Sequence, residues 1–183
     1  MSKIVFKSGE ATIFSEGKDV TAAMPEIVIG AVDGPVGQAF ANLMAQSKGH
    51  SAMFAVRDIN QQVRPATMMV PKVTLKDSTT IGLFGGVVQA AVADAVLDCV
   101  IEGIIPKDQV NDLCIINLLW IDPGCTALEN EGKLDKADMY KNNYDATKLA
   151  IKRALNDEPS IDELIANRRK IKHCMWDESW GEI

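Results

Sequence analysis

The stretch from Thr79 to Glu102 limits what this chain can fold into more than any other. Val88, Val92 and Val96 recur at helical spacing, and Asp94, Asp98 and Glu102 fall four residues apart on one solvated stripe. Asp77 or Ser78 is the natural cap and Gly103 the natural stop. Gln89 projects away from the carboxylates, among the valines. A glutamine on an apolar face must find partners or lose ~1–3 kcal/mol to unpaired burial, and such a residue often borders a pocket.

The neighbours of this helix set the fold class. Ile4 to Phe6 and Ala11 to Phe14 read as a short N-terminal strand pair, and Ile27 to Val32 as a buried strand. Asp33-Gly34-Pro35 then opens a helix that carries Phe40, Leu43 and Met44 inward and stops near Lys48. Ser51 to Arg57 and Thr67 to Leu75 are strand candidates. On the second, Lys72 and Thr74 would share one face, and Pro71 implies an edge or a bulge. Leu113 to Ile121 is apolar nearly throughout, as in a strand buried on both faces. Helices follow at Lys136 to Asn156 and from the capping box of Ser160 and Glu163 to Lys170. The helices cluster too late for a repeating βαβ unit, so a mixed α/β sandwich fits better than a doubly wound sheet.

The 183 residues suit a single domain, 1–183. Its tail, 172–183, holds Trp176 and Trp180, which suggest either docking on the body or a neighbouring subunit, or a frayed end. A formal charge of −6 argues against nucleic acid, which needs a basic face. No apolar run reaches the ~18 residues of a membrane span, and no signal-peptide layout is present, so the expected compartment is the cytoplasm. Cys99, Cys114, Cys125 and Cys174 have irregular spacings, which speaks against zinc and redox motifs; Cys99 and Cys114 belong in the core. No phosphate loop, nucleophile elbow or metal-binding histidine pair is found, so no metal is expected.

A more specific signal is a series of blocks in fixed order. Lys72-Val73-Thr74, Gly86 with Gln89, Glu102-Gly103-Ile104-Ile105-Pro106, Asn143-Tyr144-Asp145-Ala146-Thr147-Lys148, Arg153-Ala154 and Glu158-Pro159 follow one another. Together they resemble the formaldehyde-activating enzyme family, from about Gly9 to Arg169 and most strongly between Arg64 and Pro159. The resemblance implies an α/β fold like ribosomal protein S5 domain 2, a two-layer sandwich. It also implies a homopentamer that condenses formaldehyde with tetrahydromethanopterin, releasing water and forming the methylene-bridged pterin. Carried over by the resemblance, the pterin contacts fall on Lys72, Thr74 and Gln89, with Glu26 in place of an aspartate and Phe54 in place of a leucine. The bland readings are a solvated edge-strand lysine, a β-forming threonine and a glutamine bonded to backbone.

One position departs from the family pattern. Where the family keeps a histidine proposed as the general acid, this chain has Met24, and no neighbour from Val20 to Pro25 replaces it. A thioether moves no proton near neutral pH, and positioned acid–base help is typically worth ~10²–10⁴ in rate. Glu26, two residues on, is one substitute acid. His50, four before Phe54, is another, although a surface turn histidine is the simpler reading, and His173 lies in the tail. Two functional readings follow: a formaldehyde-activating enzyme, or a paralogue that binds a pterin or other small ligand with little catalysis. A third would use only the oligomeric scaffold.

Overall fold

In the computed structural model the described residues are 3–45 and 52–170. His50, His173, Cys174, Trp176 and Trp180 lie outside them. A five-stranded sheet forms the centre, in the order β1-β2-β7-β6-β3. Its strands are β1 (Lys7–Glu10), β2 (Glu26–Ala31), β3 (Met53–Phe54), β6 (Ala66–Pro71) and β7 (Leu113–Leu119). All neighbouring pairs are antiparallel except β6 and β7. Between β3 and β6, β4 (Val56–Asp58) and β5 (Gln61–Gln62) make a separate two-stranded hairpin.

Strand alternation sorts the side chains onto two faces. Ile27, Ile29, Met69, Ile115 and Leu119 join the main core, under the helices. Met68, Cys114 and Ile116 point the other way, to a smaller cluster closed by Val36 and Phe40 of α1 (Pro35–Ala45). The mixed α/β sandwich expected from sequence is therefore formed, with α1 laid across part of its outer face.

The helix layer is built from one long run and one long neighbour. The run comprises α2 (Ser78–Leu83), a π-turn (Phe84–Val88) and α3 (Gln89–Ile101). Asp77 caps it by accepting the Thr80 N–H at 2.8 Å, and Gly103 leaves it with a φ of 75°. By length and composition this run is apolar enough to cross a membrane, contrary to the expectation from unbroken apolar stretches. Val88, Val92 and Val96 are wholly buried against the sheet, the behaviour of a core helix. Its neighbour α5 (Lys136–Asn156) has the expected bounds.

The carboxylate stripe is paired rather than merely solvated. Tyr140 Oη donates to Asp94 and Tyr144 Oη to Asp98, each at 2.6 Å, and Lys148 binds Glu102. Each rung joins residues 46 apart, so α3 and α5 run parallel. The two rings stack with centroids 6.3 Å apart. Arg57 of the hairpin reaches Asp94 at 2.7 Å and ties β4 to the ladder.

Several elements differ from the sequence reading. The N-terminal segments do not pair with each other: β1 pairs with β2, while Ile13 bridges Ala23. Gly9 brings β1 directly under α5, since a Cβ there would lie 2.5 Å from the Ala154 nitrogen. The strand expected over Ser51 to Arg57 is broken at Ala55 into β3 and β4, because the chain leaves the sheet to make the hairpin. The strand from Thr67 ends at Pro71, which falls past the two-residue β3. The Lys72 N–H bonds to Leu119 at 2.7 Å, so the Pro71 nitrogen faces the side that β3 leaves open. A short helix, α4 (Cys125–Asn130), was not expected, and the Ser160 capping box opens α6 (Ile161–Asn167) as expected.

Candidate functional site

Outer-face side chains in the β2, β7 and β6 rows build the candidate site. Glu26 sits opposite Leu118, which sits beside Val70, and in the next row Val28 stands beside Ile116 and Met68. Leu118 and Val70 of the first row and Val28 of the second are partly buried beside the cluster that α1 closes. This is the apolar floor. Lys72 follows β6 by one residue, and its Nζ reaches Glu26 Oε1 at 2.8 Å. Since β7 lies between β2 and β6, the ion pair spans β7 above Leu118. The Lys72 side chain is 23% exposed and that of Glu26 54%.

A cleft of about 400 Å³ opens beside this pair, lined by Ser8, Glu10, Glu26, Val28, Leu118 and Pro159 among others. Glu10 stands directly across from Glu26, so two carboxylates share a rung. Lys72 balances one, and the Arg153 guanidinium lies 3.7 Å from the other. Arg153 also donates to the Glu10 carbonyl at 3.0 Å. Met24 is half buried, between the bridge residue Ala23 and the start of β2. Ala23 and Ile27 are buried in the core while Glu26 is exposed, so the alternation sets Met24 on the side of Glu26.

The remaining sequence candidates are placed differently. Phe54 lies at the other end of the floor, on the α1 face, with its ring 5.8 Å from that of Phe40. Gln89 does not face the core valines. Its Nε2 donates to the Phe54 carbonyl at 3.0 Å and lies 3.3 Å from Met53 Sδ. Thr74 does not share a strand face with Lys72, because the strand has already ended. It lines a second cleft, of about 560 Å³, with Lys76, Asp77, Thr80, Ile121 and Thr126. One chain thus joins Glu26 to Lys72 and Gln89 to Phe54, and opens Thr74 onto a cleft of its own. Sequence reasoning missed the floor itself; Leu118 was read within a strand buried on both faces and Val70 only within a strand candidate, and alternation along the two strands was the available signal.

The described cysteines do not contribute. Cys99, Cys114 and Cys125 are buried free thiols. Burial pushes the Cys99 thiol up to about 12 and the Cys125 thiol to about 11, far from the nucleophilic form near neutral pH. Among the described residues no cluster of histidine, cysteine and carboxylates could hold a metal ion.

Comparison with known proteins gives one consistent match. The model of a family described as formaldehyde-activating enzyme (Fae) covers residues 8–176. The bifunctional enzyme Fae/Hps of Methanosarcina mazei is 39% identical over 188 aligned residues, covering 98% of this chain and 45% of that protein. Those of Methanosarcina acetivorans and Methanococcoides burtonii are each 40% identical, over 98% and 96% of this chain. The chain spans less than half the length of these relatives, 45% and 44% respectively.

Proposed function

Because this chain belongs to the formaldehyde-activating enzyme family, we propose that it condenses formaldehyde with tetrahydromethanopterin, forming the methylene-bridged pterin and water. This is a carbon–nitrogen lyase, or hydro-lyase, reaction of one-carbon metabolism. The observation that carries the reading is the Glu26–Lys72 pair beside a half-open apolar floor, on the Met24 side of β2. The flat pterin packs on Val28, Leu118 and Phe54, and the ion pair meets its polar edge.

The chemistry asks little of the protein except position and one proton. A pterin amine adds to formaldehyde and gives a carbinolamine. Its hydroxyl leaves as water only after gaining a proton, which leaves an iminium cation. The second amine closes on that carbon and releases a proton, so the sum is formaldehyde plus two N–H groups giving a methylene bridge plus water. Met24 can supply no proton. Glu26, hydrogen-bonded to the Lys72 ammonium on the Met24 side of β2, is the group assigned to pass the proton, and its carboxylate then pairs with the iminium. Holding both reactants on the floor supplies the rest, since well-oriented intramolecular reactions reach effective molarities of roughly 10⁵–10⁸ M.

The assembly follows from the same reading. Thr74 opens away from the Glu26 cleft, and Ile161, Leu164 and Ile165 of α6 are all more than half exposed. Both features support a homo-oligomer, the pentamer of the family resemblance, in which neighbouring chains share the ligand. The compartment is the cytoplasm, which buried, unpaired thiols support.

Met24 favours a second reading, a paralogue that keeps the pterin and catalyses little. Stopped-flow measurement of methylene-pterin formation separates the two. The enzyme reading expects wild type well above the buffer rate and Glu26→Gln at least about tenfold slower. Wild-type rates equal to buffer, with saturable pterin binding, would leave only the paralogue.

A further inference from the structure

β1 and β2 set two glutamates face to face. Glu10 and Glu26 are Cα partners in the antiparallel ladder. In the next pair the Ala11 N–H bonds to the Pro25 carbonyl at 3.2 Å, so Ala11 and Pro25 are a hydrogen-bonded pair. Hydrogen-bonded and non-hydrogen-bonded pairs alternate along such a ladder, which makes Glu10 and Glu26 the second kind. That kind brings side chains closest, with Cα atoms about 4.5 Å apart. On the other side of this rung, Gly9 lies against α5 and Ile27 enters the core. Both glutamates therefore turn to the outer face, and both line the cleft of about 400 Å³.

Like charges directly opposite each other destabilise a sheet, yet this rung keeps two of them. Their surroundings are not equivalent. Glu26 gives Oε1 to the Lys72 ammonium at 2.8 Å. The Arg153 guanidinium donates to the Glu10 backbone carbonyl at 3.0 Å and stays 3.7 Å from its carboxylate. Arg153 thus balances the charge of Glu10 without occupying its oxygens. Neither carboxylate oxygen of Glu10 accepts a hydrogen bond among the described residues, so it is the one left open to a ligand.

The proposed reaction moves protons in two directions. Loss of the carbinolamine hydroxyl as water takes one up, and closure of the second amine on the iminium carbon gives one back. Two carboxylates on one rung can divide these steps, as paired carboxylates divide acid and base roles in other enzymes. We propose that Glu10 is a second catalytic residue, the base that takes the proton released on ring closure. Glu26 passes its proton to the departing hydroxyl, Glu10 receives one from the closing amine, and that proton returns across the rung to Glu26. The carbinolamine C–O bond breaks, the second C–N bond forms, water leaves, and both carboxylates end as they began. In between, the iminium cation sits beside two negative groups, which stabilise it. The inference rests on the pterin reading of this face and deepens it by adding a residue that the family resemblance does not assign.

Rates of methylene-pterin formation at saturating tetrahydromethanopterin, with pterin affinity measured separately by calorimetry, decide it. Glu10→Gln keeps the size of the side chain and removes the proton acceptor. It is expected to slow the catalysed rate about ten- to a hundredfold, the scale of one acid–base group, with the dissociation constant changed by about twofold or less. Relief of the facing charges is expected to hold or raise its melting temperature, which sets a lost proton carrier apart from a lost fold. Because the two carboxylates act as a unit, the double variant Glu10→Gln with Glu26→Gln is expected to be little slower than the slower single variant. An unchanged rate in Glu10→Gln, a loss confined to affinity, or fully multiplicative losses in the double variant overturns the proposal. A wild type at the buffer rate removes the pterin-condensing reading and this inference with it. An active wild type matched by Glu10→Gln removes this inference alone.

Discussion

Tyr140→Phe tests how the helix layer that carries Gln89 is locked. The sequence has two tyrosines, and Tyr140 and Tyr144 are both rungs of the ladder, so the tyrosine ultraviolet signal reports on the ladder alone. The hydrogen bond to Asp94, and burial after it, push Tyr140 from 10.0 up to about 12. Two pKa units correspond to about 2.7 kcal/mol as an upper bound. The Asp94 side chain is 25% exposed and also binds Arg57, so screening and competition lower this. About 1.5 kcal/mol is expected, in keeping with a hydrogen bond to a charged acceptor. A group whose folded pKa is raised contributes fully below its unfolded value and loses that contribution as pH rises through the folded one. The difference between wild type and Tyr140→Phe in urea unfolding should therefore be about 1.5 kcal/mol at neutral pH and fall away between roughly pH 10 and 12. Absorbance titration should show both tyrosines ionising late, since Asp98 raises Tyr144 in the same direction. Ordinary titration of both near 10, or no stability change in Tyr140→Phe, would refute the ladder.

Two further substitutions probe the core beneath the site. Gly9→Ala drives a methyl into the backbone of α5 at Ala150 and Ala154, with contacts near 2.5 Å, and is expected to cost at least about 1–3 kcal/mol in chemical denaturation; an unchanged midpoint would contradict the close packing of β1 on α5. Asn117 is wholly buried on the helix-facing side of β7, and neither polar atom of its side chain has a hydrogen-bond partner among the described residues. Asn117→Leu keeps the branched four-atom side chain while removing both unpaired polar atoms, and should raise stability by about 1–3 kcal/mol, seen as a higher melting temperature; a loss of stability in both Asn117→Leu and the smaller Asn117→Val would show that the amide is satisfied in solution.

The chemistry was legible where side chains repeat along one helix and hidden where the backbone turns. The bounds of α5 and the cap at Asp77 followed from periodicity and capping, which are local properties. The blocks around Glu102 and Asn143 to Lys148, which carried the family resemblance, prove to hold rungs of one ladder, which explains their joint spacing. The strand through Lys72 was read too long because Thr74 and Leu75 have strand composition; β6 ends at Pro71, where its pairing with β7 ends at Leu119. No 3.6-residue pattern reveals the π-turn, so Gln89 was assigned to the valine face. α4 went unseen because it is six residues long and starts at Gly124 without a side-chain cap.

Met24→His measures most directly whether the cleft keeps its ligand geometry and lacks only the histidine of the family. At saturating tetrahydromethanopterin and neutral pH, wild type should exceed the buffer rate. Met24→His should be faster again by about 10² or more, the scale of restored general acid catalysis, with pterin affinity little changed. A wild type no faster than buffer would leave the pterin-binding paralogue, and a Met24→His protein no faster than wild type would contradict the assignment of this face of β2 as the catalytic one.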